Sequence, residues 1–160
     1  MLPAMTIKKL ESTKPFREWQ RKNRKDYLSH IVAISDDRGV IEISIGYYDA
    51  ESDRITTFVM GKNIIIKPKA EIFKKEGKVK PLELSRAKLS LEKIVKEAEK
   101  AARDNYEGAE ASKVISILQN LGEGEVWNVT VMTAKFQVIN VRIDPETGKA
   151  LSHEKVNLFE

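Results

Sequence analysis

Apolar and polar residues alternate with a period of two through much of this 160-residue chain, and that alternation predicts β-strands. The predicted strands are 30–35, 40–48, 54–60, 63–73, 125–133, 136–144 and 150–159. Turn-forming stretches separate them, such as DDRG at 36–39 and DAESD at 49–53. Pro68 cannot donate a ladder hydrogen bond, so the fourth strand is expected at a sheet edge or is interrupted there.

Apolar residues three and four apart predict helices over 14–28, 90–105 and 110–121. In the first helix, Phe16, Trp19, Asn23 and Tyr27 share a face that we expect to pack on the sheet. In the third, Val114, Ile115, Leu118 and Leu121 form the apolar side, and Gly122 is expected to end the helix. Together these elements predict an α+β fold in which antiparallel, bent β-hairpins pack on two or three helices.

The length suits a single compact domain over residues 1–160. An exposed, Lys-rich connection predicted at 74–83 would divide that domain into halves, 1–80 and 81–160.

One short sequence motif, the repeated phrase, occurs twice, as YYDAESDRITTF near residue 50 and as VRIDPETGKAL near residue 145. Both match hairpin turns, in which an aspartate accepts amide hydrogen bonds and a late residue adopts positive φ. The predicted turn residues are Asp49, Asp144, Pro145, Thr147 and Gly148. Because a hairpin tip faces solvent, we expect its acids to form turns and not a catalytic pair. The strand phase before the first turn also predicts a bulge at 46–48.

Composition excludes several kinds of site and of protein. There is no cysteine, which excludes disulfides and thiolate sites. The first ten residues lack a signal-peptide core, and no apolar run is long enough to span a membrane, so we expect a cytoplasmic protein. Abundant Lys and Glu are also typical of thermophilic proteins.

Positive charge concentrates in the first half, where residues 1–80 carry 17 Lys and Arg against 11 Asp and Glu. The second half carries 11 against 13. Candidate contacts to a partner or to nucleic acid are Arg17, Arg21, Arg24, Lys25, Lys67, Lys69, Lys74 and Lys75. The alternative interpretation is that these residues only form a solvated surface.

No pattern predicts catalysis, a metal or a cofactor. The two histidines, His30 and His153, could form a metal site only with further ligands, and surface positions at strand ends are the alternative. Each follows a serine, but neighbouring residues of a strand face opposite ways, so we expect no Ser–His pair. A phosphate-binding glycine loop is lacking as well.

Residues 90–158 place an amphipathic helix before W-x-V-x-V and end in a D-x-x-T-G-K hairpin. This pattern, carried by Trp127, Asp144, Thr147, Gly148 and Lys149, resembles the C-terminal part of the PepSY domain. The resemblance implies a small module with a helix packed on a sheet, similar also to cystatins. PepSY domains are often found in propeptides and in membrane-associated or secreted proteins, and are linked to peptidase inhibition or protein contact. The first half could be a diverged second copy.

Three functions follow as hypotheses. The first is a non-catalytic cytosolic binding or assembly module that contacts proteins or peptides through a bent sheet, and that forms a homodimer through an edge strand. The second is a basic nucleic-acid-associated protein that uses helix 14–28 and the Lys cluster 62–80. The third is a carrier of a small ligand in an internal cavity.

Overall fold

A computed structural model describes residues 1–71 and 79–156. The helices are α1 (Pro3–Glu11), α2 (Lys14–Lys22) and α3 (Leu91–Asn105). The strands are β1 (Tyr27–Asp36), β2 (Gly39–Asp49), β3 (Arg54–Met60), β4 (Ile65–Glu71), β5 (Ala111–Asn120), β6 (Glu125–Thr133), β7 (Val138–Ile143) and β8 (Ala150–Val156). None of these helices combines the length and the apolar character needed to cross a bilayer.

All eight strands form one antiparallel sheet in the order β4-β3-β2-β1-β5-β6-β7-β8. The strands of each half form a four-stranded meander, and the meanders join where β1 pairs with β5. The predicted α+β class with antiparallel strands is therefore confirmed. Each meander follows its own helix or helices, as two related halves would, but a common origin of the halves stays a prediction.

The core lies between the three helices and one face of the sheet. Large side chains that are fully buried there include Leu10, Phe16, Phe58, Ile94, Leu118 and Trp127. Along β6, Trp127, Val129 and Val131 point inward in the phase that the sequence predicts. Burial of these side chains is the main contribution that holds the helices on the sheet.

The first predicted helix is shorter than expected. It begins after Thr13, whose hydroxyl accepts a hydrogen bond from the Phe16 amide, and it ends at Lys22. Asn23 leaves the helical conformation, and Tyr27 already pairs with Tyr48 in the sheet. The prediction of a helix to residue 28 was wrong because Tyr27 already belongs to strand β1.

The predicted helix over 110–121 is strand β5. Val114, Ser116 and Leu118 point into the core, whereas Ile115 and Ile117 point to the opposite face. β-Branched residues on both faces fit a strand between two neighbours better than a helix. Gly122, expected to stop a helix, has a φ of 108° in the turn between β5 and β6.

Helix α1 was not predicted. Pro3 starts it, and Thr6, Ile7 and Leu10 are buried at helical spacing. The helix has only nine residues, and Lys8 and Lys9 interrupt its apolar residues, so the apolar spacing was too short to predict a helix.

Strand β4 lies at a sheet edge, as Pro68 predicted. The first half of the predicted connection, residues 74–78, and residues 72 and 73 of the predicted strand lie outside the described residues. Where the chain is described again, Leu82 is buried and its amide donates to the Leu28 carbonyl. Lys80, Pro81 and Glu83 beside it are exposed, as predicted, so Leu82 is the exception that holds this end of the connection against the core.

Candidate functional site

The sheet has one face that the helices cover and one that they do not. We call the second the helix-free face, because α1, α2 and α3 all pack on the opposite side. At its centre, Val32 pairs with Ile117 and Ile34 pairs with Ile115 across β1 and β5. These four residues, the aliphatic stripe, are half-buried, and no described helix covers them.

Polar residues border the aliphatic stripe on both sides. Ser44 and Glu42 of β2 lie opposite Val32 and Ile34, and Asn128 and Thr130 of β6 lie opposite Ile117 and Ile115. An apolar centre with a polar border is the usual composition of a protein-contact surface.

The β7–β8 turn is built as the sequence predicts. The Asp144 carboxylate accepts hydrogen bonds from the amides of Thr147, at 3.0 Å, and Glu146, at 2.8 Å. These bonds hold the pKa of Asp144 below its usual value, although partial burial opposes them. Gly148 has a φ of 79°, and Pro145 is buried. The acid therefore forms the turn, as expected.

The same turn anchors the segment that leads into α3. Glu146 accepts a hydrogen bond from Lys88 at 2.8 Å and lies 3.3 Å from Arg86. These partners lower the pKa of Glu146, with the Lys88 hydrogen bond as the largest cause. Arg86 also lies 3.4 Å from Asp144.

Asp49 forms the matching turn between β2 and β3. Its carboxylate accepts hydrogen bonds from the Ser52 hydroxyl and the Glu51 amide. Lys69 of β4 lies 2.6 Å from Asp49 and 3.4 Å from Asp26, whose side chain is almost fully buried. The hydrogen bond from Lys69 is the main reason that the pKa of Asp49 falls to about 2. Desolvation has the opposite effect on Asp26 and raises its pKa.

The two copies of the repeated phrase do not occupy equivalent hairpins. Asp49 lies in the second hairpin of its meander, whereas Asp144 lies in the third hairpin of the other. The repeat therefore reflects a shared turn chemistry, and it is not the mark of a duplicated unit.

The predicted contact residues differ in their exposure to solvent. Arg17, Arg21, Arg24, Lys25 and Lys67 are exposed. Lys69 is half-buried and held by the two aspartates, so its charge is largely neutralised within the protein. Lys74 and Lys75 lie outside the described residues.

The aromatic face of α2 packs on the sheet, as predicted. Phe16 is buried, and the Trp19 ring lies 4.9 Å from Phe58 and 5.3 Å from Tyr47, between ring centroids. The remaining side of Trp19 lines an open cleft of about 530 Å³ with Ile66. Its other lining residues are Lys14, Pro15, Glu18, Lys22 and Asn23.

The two histidines are separated, because β5, β6 and β7 lie between their strands. His153 bonds to the Tyr106 hydroxyl at 2.9 Å. His30 is largely buried, and burial lowers its pKa. Among residues 1–71 and 79–156, no group of three or more histidine or carboxylate side chains is arranged to hold a metal.

Ser29 and His30 do meet, contrary to expectation. The Ser29 hydroxyl lies 2.9 Å from His30 Nδ1. The register shifts between Leu28 and His30, so Ser29 is an extra residue in β1, and strict alternation fails there. The predicted bulge is thus present at this level of the sheet, but in β1 and not in β2. The second Ser29 bond, to the Gly46 carbonyl, shows a structural role.

Residues 88–154 match the family model of PepSY, described as the peptidase propeptide and YPEB domain. The matched part comprises α3 and most of the β5–β8 meander, which confirms the resemblance inferred from the sequence. Neither the curated proteins nor the solved structures contain a match to the chain. The PepSY match supports a non-catalytic, propeptide-like or binding module.

Proposed function

We propose that this protein is a non-catalytic assembly module that binds a second copy of its own chain through the helix-free face. The observation that carries the proposal is the aliphatic stripe, which lies on the central strands of the sheet without a covering element among the described residues. The cytoplasmic location and thermophilic source expected from composition stay predictions.

The helix-free face is comparable in extent to a standard interface. Eight strands at a spacing of about 4.8 Å make a sheet about 34 Å wide, and six residues of strand span about 20 Å, so the whole face covers roughly 700 Å². Each partner buries about 800 Å² in a standard interface. Tyr48 and Ile55 on this face are already buried, so the stripe and its neighbours are the part open to a partner.

The position and charge of the stripe favour a second copy as the occupant. It lies at the middle of the strand order, so a two-fold axis through it would place one stripe on the other. Two twisted sheets can pack face to face in this way, with strands about 30° apart. Its polar neighbours are Ser44, Asn128, Thr130 and one acid, Glu42, so the centre has no charge that calls for a strongly acidic or basic partner.

A homodimer through an edge strand, the arrangement expected from sequence, uses a different surface. Strand β8 pairs only with β7, and its residues are exposed, including Leu151. Pairing there would extend the sheet through backbone hydrogen bonds and would leave the stripe uncovered.

Sedimentation equilibrium of matched variants separates the two arrangements. Ile117→Lys places a charge in the stripe, and we expect it to weaken dimerisation at least tenfold, because an unpaired charge would be buried. Leu151→Lys makes the same change on β8 and should leave the dimer unchanged. Circular dichroism checks that both variants are folded.

Loss of the dimer in Leu151→Lys alone would assign the contact to β8 and overturn the use of the face. A wild-type protein that stays monomeric at high concentration would overturn self-association.

A second candidate function is binding of single-stranded nucleic acid along α2. The cleft beside Trp19 favours it, because an indole is flanked there by Lys14 and Lys22, while Arg17 and Arg21 are exposed on the same helix. Aromatic and cationic side chains together are typical of such sites.

Fluorescence anisotropy of labelled oligonucleotides at several salt concentrations tests this candidate. We expect binding that weakens with salt and that is reduced in Arg21→Glu. Lys100→Glu on α3 is the control, because Lys100 is similarly exposed on another helix. Equal losses in both variants, or no binding at low salt, would contradict the candidate.

A further inference from the structure

A methionine-rich cleft opens between α1 and the paired residues Ile43 and Met60 of β2 and β3. We call it the methionine cleft; its volume is about 480 Å³, and its lining is Met1, Met5, Thr6, Lys9, Ile43, Met60 and Gly61. Three of the four methionines in the chain line this one cleft. Met5 is 63% exposed, although the large aliphatic residues Ile7 and Leu10 of the same helix are buried.

The cleft adjoins a small interior cavity. Met1, Thr6 and Ile43 line both spaces, and the cavity, of about 10 Å³, extends to Trp127. Trp127 is 1% exposed, and its indole N–H has no acceptor among the described residues. This inner space is sufficient for about one water molecule, so a larger ligand would occupy the outer cleft.

The lining indicates the chemistry of the ligand. Methionine side chains are flexible and polarisable, and they adapt to apolar groups of varied shape. Lys9 is the cation of the lining, and it forms no ion pair with another described residue. The amino group of Met1, in contrast, is paired with Glu92. An apolar surface with one unpaired cation complements an unbranched hydrocarbon chain that carries a single anionic group.

We infer that the methionine cleft binds a straight-chain carboxylate, with its hydrocarbon chain against Met5, Ile43 and Met60 and its carboxylate near Lys9. The volume falls within the range of pockets that take small ligands. This site lies on the helix-covered side of the sheet, so it is independent of the aliphatic stripe.

Isothermal titration with hexanoate, octanoate and decanoate, below their micelle concentrations, tests the inference. We expect the dissociation constant to fall about fourfold for each added methylene until the cleft is full. In a Trp19→Phe background, binding should also change the fluorescence of Trp127, which lines the inner cavity next to the cleft.

Two matched pairs of variants locate the site. Met5→Glu should weaken decanoate binding at least tenfold, whereas Leu121→Glu, the same change at an exposed apolar residue elsewhere, should not. Lys9→Gln should weaken decanoate binding about threefold, as expected for an exposed ion pair, and should leave 1-decanol binding unchanged. Lys8→Gln is its control, because Lys8 is exposed on α1 but does not line the cleft.

Affinity that does not depend on chain length, or equal effects of Met5→Glu and Leu121→Glu, would overturn the inference. The Ile117→Lys protein should bind decanoate normally, so failure of the proposed dimer and failure of this site give different results.

Discussion

At the scale of single residues, Gly46 and His30 approach each other closely in the sheet. The imidazole lies over Gly46 across the β1–β2 pair, and a Cβ atom at Gly46 would come within 2.2 Å of the ring. A glycine is required there because the buried histidine fills the space that a side chain would occupy.

We therefore predict that Gly46→Ala destabilises the protein by about 1–3 kcal/mol through overpacking. Removing the imidazole should relieve the clash, so Gly46→Ala combined with His30→Ala should lose less than the two single effects added together. Urea unfolding of the four proteins measures this coupling. Simple additivity would show that the ring and the new methyl group do not meet.

Residues whose environment is local were predictable from the sequence. Asp144 and Gly148 behave as expected because a hairpin turn depends on a few neighbouring residues. The contact between Ser29 and His30 was not predictable, because it arises from a bulge that depends on how β1 aligns with β2.

At the scale of elements, Lys69 joins the edge strand β4 to the β2–β3 turn through Asp49 and Asp26. The pKa of Asp49 is about 2 in the folded protein and 3.8 ordinarily, so the folded state binds fewer protons than the unfolded state. The stabilisation is present above pH 3.8 and is lost as the pH falls toward 2.

We predict that Asp49→Asn flattens the dependence of the unfolding free energy on pH between about 4 and 2. Asp26→Asn should act in the opposite direction and at higher pH. Because burial raises the pKa of Asp26, its ionisation in the folded state costs stability as the pH rises above 3.8, and Asp26→Asn should remove that loss. Urea midpoints measured below and above pH 3.8 give both slopes, and equal slopes in all three proteins would contradict the ion-pair assignment.

Strand β5 shows why one element was misread. Val114, Ile115 and Leu118 fit a helical stripe, and only the pairing of β5 with β1 and β6 reveals that Ile115 belongs to the other face. Periodicity in a short apolar segment does not separate a buried strand from a helix. Most other boundaries were close, and those of β3 and β6 were predicted correctly.

At the scale of the whole molecule, the sheet joins two meanders at β1 and β5, and the helices cover one face only. The fold class and the PepSY resemblance were accessible from sequence, because they depend on alternation and on one hairpin. The helix-free face could not be predicted from the sequence, because it depends on the strand order and on where three helices pack.

The most direct test of this face is nuclear magnetic resonance of isoleucine δ1 methyl groups as the protein is concentrated. Self-association through the face should shift the methyl signals of Ile34, Ile115 and Ile117. The signals of core residues such as Ile94 and Ile139 should stay in place, because both are fully buried between the helices and the sheet. Shifts confined to residues near β8, or unchanged signals up to high concentration, would contradict the claim that the helix-free face is the contact surface.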